Sequence, residues 1–388
     1  QSSTITIWDY TIKTLAELKT FRDRVNSGTT YQGNTITQIA NINIGGSSAG
    51  NWTPIGTDTH RFNGTYNGNN YTISGLYINY STGNYSNRGL FGVTNTSANI
   101  KNLTITNASV TNISTYTGIL VGYNRGRIEN VKINGGTLQV GAFAGGITGY
   151  NKGGTIVSCS NSATVKYTST LSSGAPGGVT ETGWTMGGIS GCNEGTIEKS
   201  INTGSITGKH TAGGIAGAQY TGTINQCVNR GAIKVNYSAS GANAGGIVGI
   251  NAYTGTGQIT NCYNTASVTS DTNTEYHNYS GGIVGWELGD GGTSTVKNCY
   301  SIGKADKGIC GNRAPSGTAQ YSNNYWLSTS GASSGIGVIN NDTSYSNSNA
   351  NAVSKSSTEI KNLAGTLGSA FKKDTSNKNS GYPILSWQ

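Results

Sequence analysis

The chain has 388 residues, enough for two or three ordinary domains or one elongated one, and its 34% apolar and 11% charged content is low on both counts. Sixty Gly against four Pro, with abundant Ser, Thr and Asn, point to short strands and tight turns; the low charge argues against a disordered chain, and without a run of about 18 apolar residues no membrane-spanning helix is expected. The formal charge of +9 is scattered singly, with no block of basic residues, so an acidic polymer is a more natural partner than nucleic acid.

The chain opens on QSSTITIW, without an initiator Met or a signal peptide, which reads as a processed or excised segment. Residues 14–28, TLAELKTFRDRVNSG, carry Leu15, Leu18, Phe21 and Val25 at helical spacing. Thr14 and Glu17 form a capping box and Gly28 is suited to stop the helix, so an amphipathic helix is expected across the open edge of the first coil.

A repeated phrase follows: AGGITGYNKGGTIVSCSN at 144–161, AGGIAGAQYTGTINQCVN at 212–229, and AGGIVGINAYTGTGQITNCYN at 244–264. Aligned on the second glycine of G-x-x-G, the copies fall at Gly92, Gly122, Gly149, Gly191, Gly217, Gly249, Gly285 and Gly311, at intervals of 26 to 42 residues. A constant core with variable spacing places the insertions in loops between fixed strands. Three strand candidates per unit, such as GGITGY, GTIVSC and ATVKY, describe one coil of an all-β, right-handed parallel β-helix with three short strands per coil. Coils stack about 4.8 Å apart, so aligned letters become neighbours in space.

The alignment yields an inward aliphatic column, Leu90, Leu120, Ile147, Ile189, Ile215, Ile247, Ile283 and Ile309, and a second from Ile100 to Val296. Three positions after the second comes the series Leu103, Val131, Cys159, Ser200, Cys227, Cys262, Cys299, in which cysteine replaces Leu and Val and reads as a small buried hydrophobe with a free thiol. In-register thiols point the same way, which makes a relaxed disulfide difficult. Asn161, Asn202, Asn229 and Asn264 form one asparagine column, and Asn124, Asn151, Asn193 and Asn251 another; both are expected at turns, tolerating the left-handed conformation and bonding from coil to coil. No metal-ligand spacing is present, and no metal or cofactor is expected.

Longer insertions, approximately 166–185, 235–243, 269–281 and 287–294, should line up as a rim beside the first face. The rim offers Trp184, Tyr237, Tyr276, His277, Tyr279 and Trp286 as ligand contacts, since aromatic rings suit the apolar faces of sugars. The alternative is that these are turn residues packed on neighbouring loops. A polysaccharide hydrolase needs two carboxylates about 5 to 9.5 Å apart, and Glu275 with Glu287 or Asp290 is the best pair, because they flank one strand.

At the far end, STEIKNLAGTLGSAFKKD and GYPILSWQ read as a short helix and a closing strand. The organisation expected is one continuous domain: capping segment and first coils over 1–85, repeat β-helix over 86–327, and a C-terminal cap over 328–388.

GLFG at 89–92 and its copies GILVG, GGITG, GGISG, GGIAG and GGIVG resemble the GLUG motif of bacterial surface proteins. The segments NWTPIG at 51–56, FNGTYNGNNYTISGLYIN at 62–79 and GYPILSW also look like parts of such modules. The resemblance covers roughly residues 8–388 and implies a secreted or cell-surface bacterial protein, adhesin-like or related to IgA-specific metallopeptidases. H-E-x-x-H is absent and His60, His210 and His277 are far apart, so zinc peptidase chemistry does not carry over. Two functions are expected to compete. One is a non-catalytic, monomeric surface module presenting a groove to carbohydrate or host glycoproteins; the other is a β-helical glycoside hydrolase or lyase working along the rim. A flat Thr-rich ice- or mineral-binding face is disfavoured, because no regular T-x-T ladder repeats in every coil.

Overall fold

The computed structural model describes residues 10–80, 86–112, 115–168, 184–236, 242–252, 255–271, 279–287, 293–313, 318–338 and 351–388. One coil shows how the letters become faces. Ala144–Gly145 and Thr148–Asn151 form the first face, Thr155–Val157 and Ser160–Asn161 the second, and Thr164–Tyr167 the third. Each strand pairs in parallel with the equivalent positions one coil on: Thr148 with Ser190, Ile156 with Ile197, Asn161 with Asn202, Val165 with Ile206. The chain is a parallel β-helix of three faces, two of them bent into two strand segments.

The aliphatic columns fill the interior. Leu90 through Ile309 on the first face and Ile100 through Val296 on the second are fully buried. All six cysteines are buried free thiols, and the Cys227 N–H donates to Cys262 Sγ at 3.4 Å, so the cysteines stack inward as the alignment requires. Each thiol in the column donates to the carbonyl two residues back, for example Cys227 to Asn225 at 3.3 Å and Cys262 to Thr260 at 3.1 Å. Ser200 makes the same bond to Glu198 at 2.9 Å, which is why a hydroxyl is accommodated in that slot.

Both asparagine columns are ladders that also close turns, as expected, but neither is left-handed. Asn161, Asn202, Asn229 and Asn264 point into the core, each amide Nδ2 donating to the next coil at 2.8 to 2.9 Å, with Asn264 ending on Ser301 at 3.3 Å. The left-handed conformation belongs to another column, the residue before the cysteine slot: Asn102, Asn130, Ser158, Lys199, Gln226, Asn261, Asn298 and Asn323 have φ between 49° and 58°. That column bends the second face. Its asparagines form a third, more exposed ladder, such as Asn298 to Asn261 at 3.1 Å and Asn323 to Asn298 at 2.8 Å.

The second glycine of the motif is explained by close approach. A Cβ on Gly149 would lie 2.3 Å from the backbone nitrogen of Thr117, and one on Gly191 2.5 Å from that of Ala144. The preceding coil runs directly over the motif strand there, and any side chain would push the two apart.

Helix α1, Leu15–Asn26, begins with the Thr14–Glu17 capping box and is followed by Gly28 at φ 108°. Leu18, Phe21 and Val25 are buried, and the Phe21 ring packs on Tyr31, Phe62 and Tyr66 at centroid distances of 5.3, 5.6 and 5.8 Å. The C-terminal segment behaves differently from a simple end cap. Helices α2 (Ser357–Lys361) and α3 (Ala364–Leu367) and the antiparallel pair Phe371–Lys372 with Ile384–Leu385 lie along the outside of the second face. Ile360, Leu363, Leu367, Phe371 and Leu385 cover Val228, Tyr263 and Tyr300, while Trp387 Nε1 donates to the Gln226 carbonyl at 3.2 Å.

Candidate functional site

The outer side of the first face carries the aromatic residues. Tyr123, Tyr150 and Cys192 are in register on successive coils, and the column continues through Ala218 and Ile250 to Trp286. Tyr116 supports its start, with ring centroids 5.6 Å from Tyr123, 5.2 Å from Phe143 and 5.1 Å from Tyr150. Ala142, Phe143, Tyr150 and Cys192 form a small apolar cluster outside the coil, against which half-buried Tyr116, Tyr123, Trp184 and Tyr220 pack.

Trp184, expected on the rim, is there, but its ring is already engaged. It stacks on His210 at 4.6 Å, and Lys209 Nζ lies 4.3 Å from the ring centroid. Lys209 also reaches Tyr167, at 5.7 Å. Tyr279 carries Lys307 Nζ at 4.6 Å, and Tyr150 carries Lys152 Nζ at 5.6 Å. Three rim aromatics thus present an ammonium over the ring, held by the attraction of a cation for the ring quadrupole. Trp286 is half-buried, and its Nε1 has no hydrogen-bond partner among the described residues. It stands three coils from Cys192 and hence from Trp184, about 14 Å along the stack, with aliphatic Ala218 and Ile250 between them. Trp184 and Trp286 therefore mark two patches of one side, not one contact point.

Charge at the first patch is arranged around Glu194, which accepts from the Tyr150 hydroxyl and from Lys152 Nζ. Burial raises the Tyr150 phenol, helped by the Cys192 thiol and the Glu194 carboxylate. Burial likewise raises Cys192 well above a normal thiol. His210, buried beside Lys209, is lowered to about 4 by desolvation and then by that ammonium, so the imidazole under Trp184 is neutral near pH 7. Lys307 is lowered by burial, with Asp306 opposing.

Glu287 is not on the rim. It is 1% exposed and takes the place of asparagine at the end of the first-face ladder, which runs Asn124, Asn151, Asn193, Gln219, Asn251. Asn251 Nδ2 donates to both Glu287 oxygens at 3.4 Å, and the Tyr321 hydroxyl donates to Oε2 at 3.0 Å. Burial raises its pKa to about 7, against Ser294, Tyr321, Asn251 and Arg313, which lower it. A carboxylate so held cannot face a substrate on the rim, which removes it from the candidate acid–base pair. Glu275, Asp290, Tyr237, Tyr276 and His277 lie outside the described residues.

Sequence reasoning passed over Tyr116, Tyr123, Phe143, Tyr150 and the Lys209–His210 pair. The signal was available in the column G-Y-N, G-Y-N, G-C-N, where the residue before each ladder asparagine faces outward. No group of three or more His, Cys, Asp or Glu side chains placed to hold a metal ion occurs among the described residues. No helix among the described residues is long and apolar enough to cross a membrane.

No known family profile matches the chain. Residues of the chain are 37% identical over 127 positions to a candidate Gly-rich membrane protein of Evansella cellulosilytica, a match covering 32% of this chain and 14% of the relative. A second relative is halomucin of Haloquadratum walsbyi, 34% identical over 149 positions, covering 36% of this chain and 2% of that one. The chain thus matches only a small part of the length of either relative. Among solved structures, a candidate immunoglobulin A1 protease from Bacteroides ovatus superposes over 97% of this chain and 92% of its own, at 20% identity and a TM-score of 0.46.

Proposed function

We propose that this chain is a non-catalytic module of a secreted or cell-surface protein, whose aromatic rim holds glycans. One observation carries the reading: aromatic rings stand on one outer side of the coils, and lysines lie over the half-buried rings of Trp184 (Lys209) and Tyr279 (Lys307). Rings offer flat apolar area, while the ammonium groups add donors and positive charge, so acidic sugar units are the best-matched ligands. The net charge of +9 supports the same preference. A surface location is supported by the two relatives, whose names describe a membrane protein and a halomucin.

Titration calorimetry of the full chain against polyuronates, sulfated glycans and their neutral counterparts tests the reading. Binding of the acidic polymers is expected to weaken at least tenfold on Lys209→Gln and on Trp184→Phe, both of which spare the packed cluster better than alanine. Equal affinity for neutral polymers, or no effect of either substitution, would remove the rim as the binding surface.

A further inference from the structure

The ring–ammonium pairs of Trp184 and Tyr279 are one arrangement met twice along a single corner, where the third face turns into the first. Successive passes of the chain over that corner are in register: Thr185 pairs with Thr211 and Thr211 with Asn243, while Gly187, Gly213, Gly245 and Gly281 follow one another. Trp184 therefore stands three coils from Tyr279, about 14 Å along the stack, and only one residue away across it. Each ring takes its cation from the coil that follows. Lys209 opens the pass after Trp184, and Lys307, which bridges to Gly281, belongs to the pass after Tyr279. The two ammonium groups are thus three coils apart as well.

Each cation is placed by its neighbours. Lys209 Nζ lies 4.3 Å from the Trp184 ring centre and 5.7 Å from that of Tyr167. Lys307 Nζ lies 4.6 Å from the Tyr279 ring centre and donates to Ser333 Oγ at 2.9 Å. An ammonium carries three donors, so the bond to Ser333 does not exhaust Lys307. The adjacent Asp306 carboxylate is committed to Ser280, its Oδ2 accepting from the N–H at 2.9 Å and from the hydroxyl at 2.8 Å.

Between the two cations the corner changes character. The Asn236 N–H donates to the Gly208 carbonyl and the Asp271 N–H to the Val235 carbonyl, both at 3.1 Å, so Lys209, Asn236 and Asp271 stand one above another. Asn236 and Asp271 are both exposed. Lys234, two residues before Asn236, is set back on the third face. A chain laid along the corner therefore passes a cation, an amide, a carboxylate and then the second cation, one per coil.

We propose that the two pairs are the ends of one binding site for a linear glycan in which acidic units alternate with neutral ones, laid parallel to the stack. The site presupposes a rim that holds acidic glycans, and adds to it a span and a charge pattern. An acidic unit at each end meets a ring and an ammonium. Neutral units between them offer hydroxyls to Asn236 and Asp271, whereas a uniformly charged chain brings an anion against the Asp271 carboxylate. Engagement of one end makes the second contact intramolecular, so affinity depends on whether the glycan is long enough to reach both pairs.

Calorimetry and saturation-transfer NMR of the full chain with size-graded hyaluronan oligosaccharides, in which glucuronate alternates with a neutral unit, test the proposal. Oligogalacturonates of the same lengths are the uniformly charged comparison. Affinity in the hyaluronan series is expected to rise on the order of 10²-fold where the chain first spans the pairs, and to level off beyond. Lys209→Gln and Lys307→Gln should each abolish that step, while short oligosaccharides still bind at the remaining pair; the thermal midpoint of each variant reports its folding. Asp271→Asn should strengthen the binding of long oligogalacturonates severalfold and leave hyaluronan nearly unchanged, a gain that no folding defect produces. Short acidic oligosaccharides that bind as tightly as long ones, or a length step that survives Lys307→Gln, would overturn the span and leave the rim reading standing. An equal step in both series would overturn the charge pattern. Failure of every acidic oligosaccharide to bind would remove the rim reading and the span together.

Discussion

Gly188 and Asn202 occupy complementary places inside the coil: a Cβ on Gly188 would lie 2.3 Å from Asn202 Cγ. The relation recurs at Gly146 with Asn161 and Gly214 with Asn229, both at 2.3 Å, and at Gly246 with Asn264 at 2.6 Å. The first invariant-looking glycine pair of the motif and the asparagine column are therefore one device. The glycine leaves room on the first face for an amide that enters from the second, and the amide closes both the turn and the link to the next coil. Asn202 illustrates it, donating to Asn229 Oδ1 and to the Gly204 carbonyl at 2.9 Å while accepting from the Gly204 N–H at 3.2 Å.

Gly188→Ala is expected to cost about 3 kcal/mol, because the methyl meets both Asn202 and, at 2.1 Å, the Gly214 carbonyl. Asn202→Ala should cost about 3 kcal/mol for a different reason, the buried donors and acceptors left unmade. In the double variant the methyl meets only backbone, so the loss should fall below the sum of the two. Urea unfolding of the four proteins measures the coupling; strict additivity would show that the two residues do not share one space.

The buried thiols should be chemically silent in the fold. All six thiols are buried, which shields them from attack, and burial raises Cys159 and Cys310 to about 12 and Cys262 well above a normal thiol. A thiol reagent is expected to titrate none of the six cysteines in buffer and all six in denaturant. Cys262→Ser should cost no more than about 1 kcal/mol, because the hydroxyl inherits the bond to the Thr260 carbonyl that Ser200 already makes to Glu198. A larger loss would mean that the column depends on sulfur volume and not on that bond.

The core columns were legible because each coil repeats the same aliphatic letter at the same offset, and burial has no other reading for such a series. Asparagine was ambiguous in a way isoleucine is not: its amide serves equally at a left-handed turn and in a buried ladder. The glycine pair on the facing strand was the discriminating mark. The left-handed column was hidden because Ser158, Lys199 and Gln226 occupy it beside the asparagines. The C-terminal brace did leave a trace in the outer column, which is polar at Thr104, Lys132 and Ser160 and apolar from Ile201 through Val228, Tyr263, Tyr300 and Tyr325. At the candidate site, Trp184 and Trp286 were readable as outward residues, but Lys209 over Trp184 depends on a turn geometry that no periodicity encodes. Glu287 was readable in principle, since it falls two residues after the motif glycine where other coils place asparagine.

Lys199 carries a cost that asparagine in the same column largely escapes. A left-handed backbone costs a long side chain about 1 kcal/mol, whereas Asn visits that region readily. Lys199→Asn is expected to stabilise the chain by up to about 1 kcal/mol, read as a rise in the urea midpoint with an unchanged slope. The same substitution at an extended position, such as Lys166→Asn on the third face, should bring no gain. If both gain equally, the effect is one of surface charge and the conformational account fails.

Glu287 makes stability depend on pH in a direction opposite to most carboxylates. Its folded pKa of about 7 stands above the ordinary value of 4.5, so the fold prefers the protonated acid. The preference is fully present below about pH 4.5 and is lost as pH rises toward 7, amounting on the order of 3 kcal/mol by pH 8. His210, lowered to about 4, acts the other way: the fold prefers neutral imidazole and loses stability as pH falls from the ordinary histidine range. The two slopes oppose each other in the wild-type chain, so a single pH curve does not separate them. Glu287→Gln isolates the first, because the amide keeps the size of the acid and remains beside Asn251 and Tyr321 without ionising. The variant is expected to match the wild type within about 1 kcal/mol at pH 4.5 and to exceed it by about 3 kcal/mol at pH 8, measured by urea unfolding at both values. A difference that does not grow with pH would show that Glu287 is held as a carboxylate, with Arg313 and the ladder amides outweighing its burial.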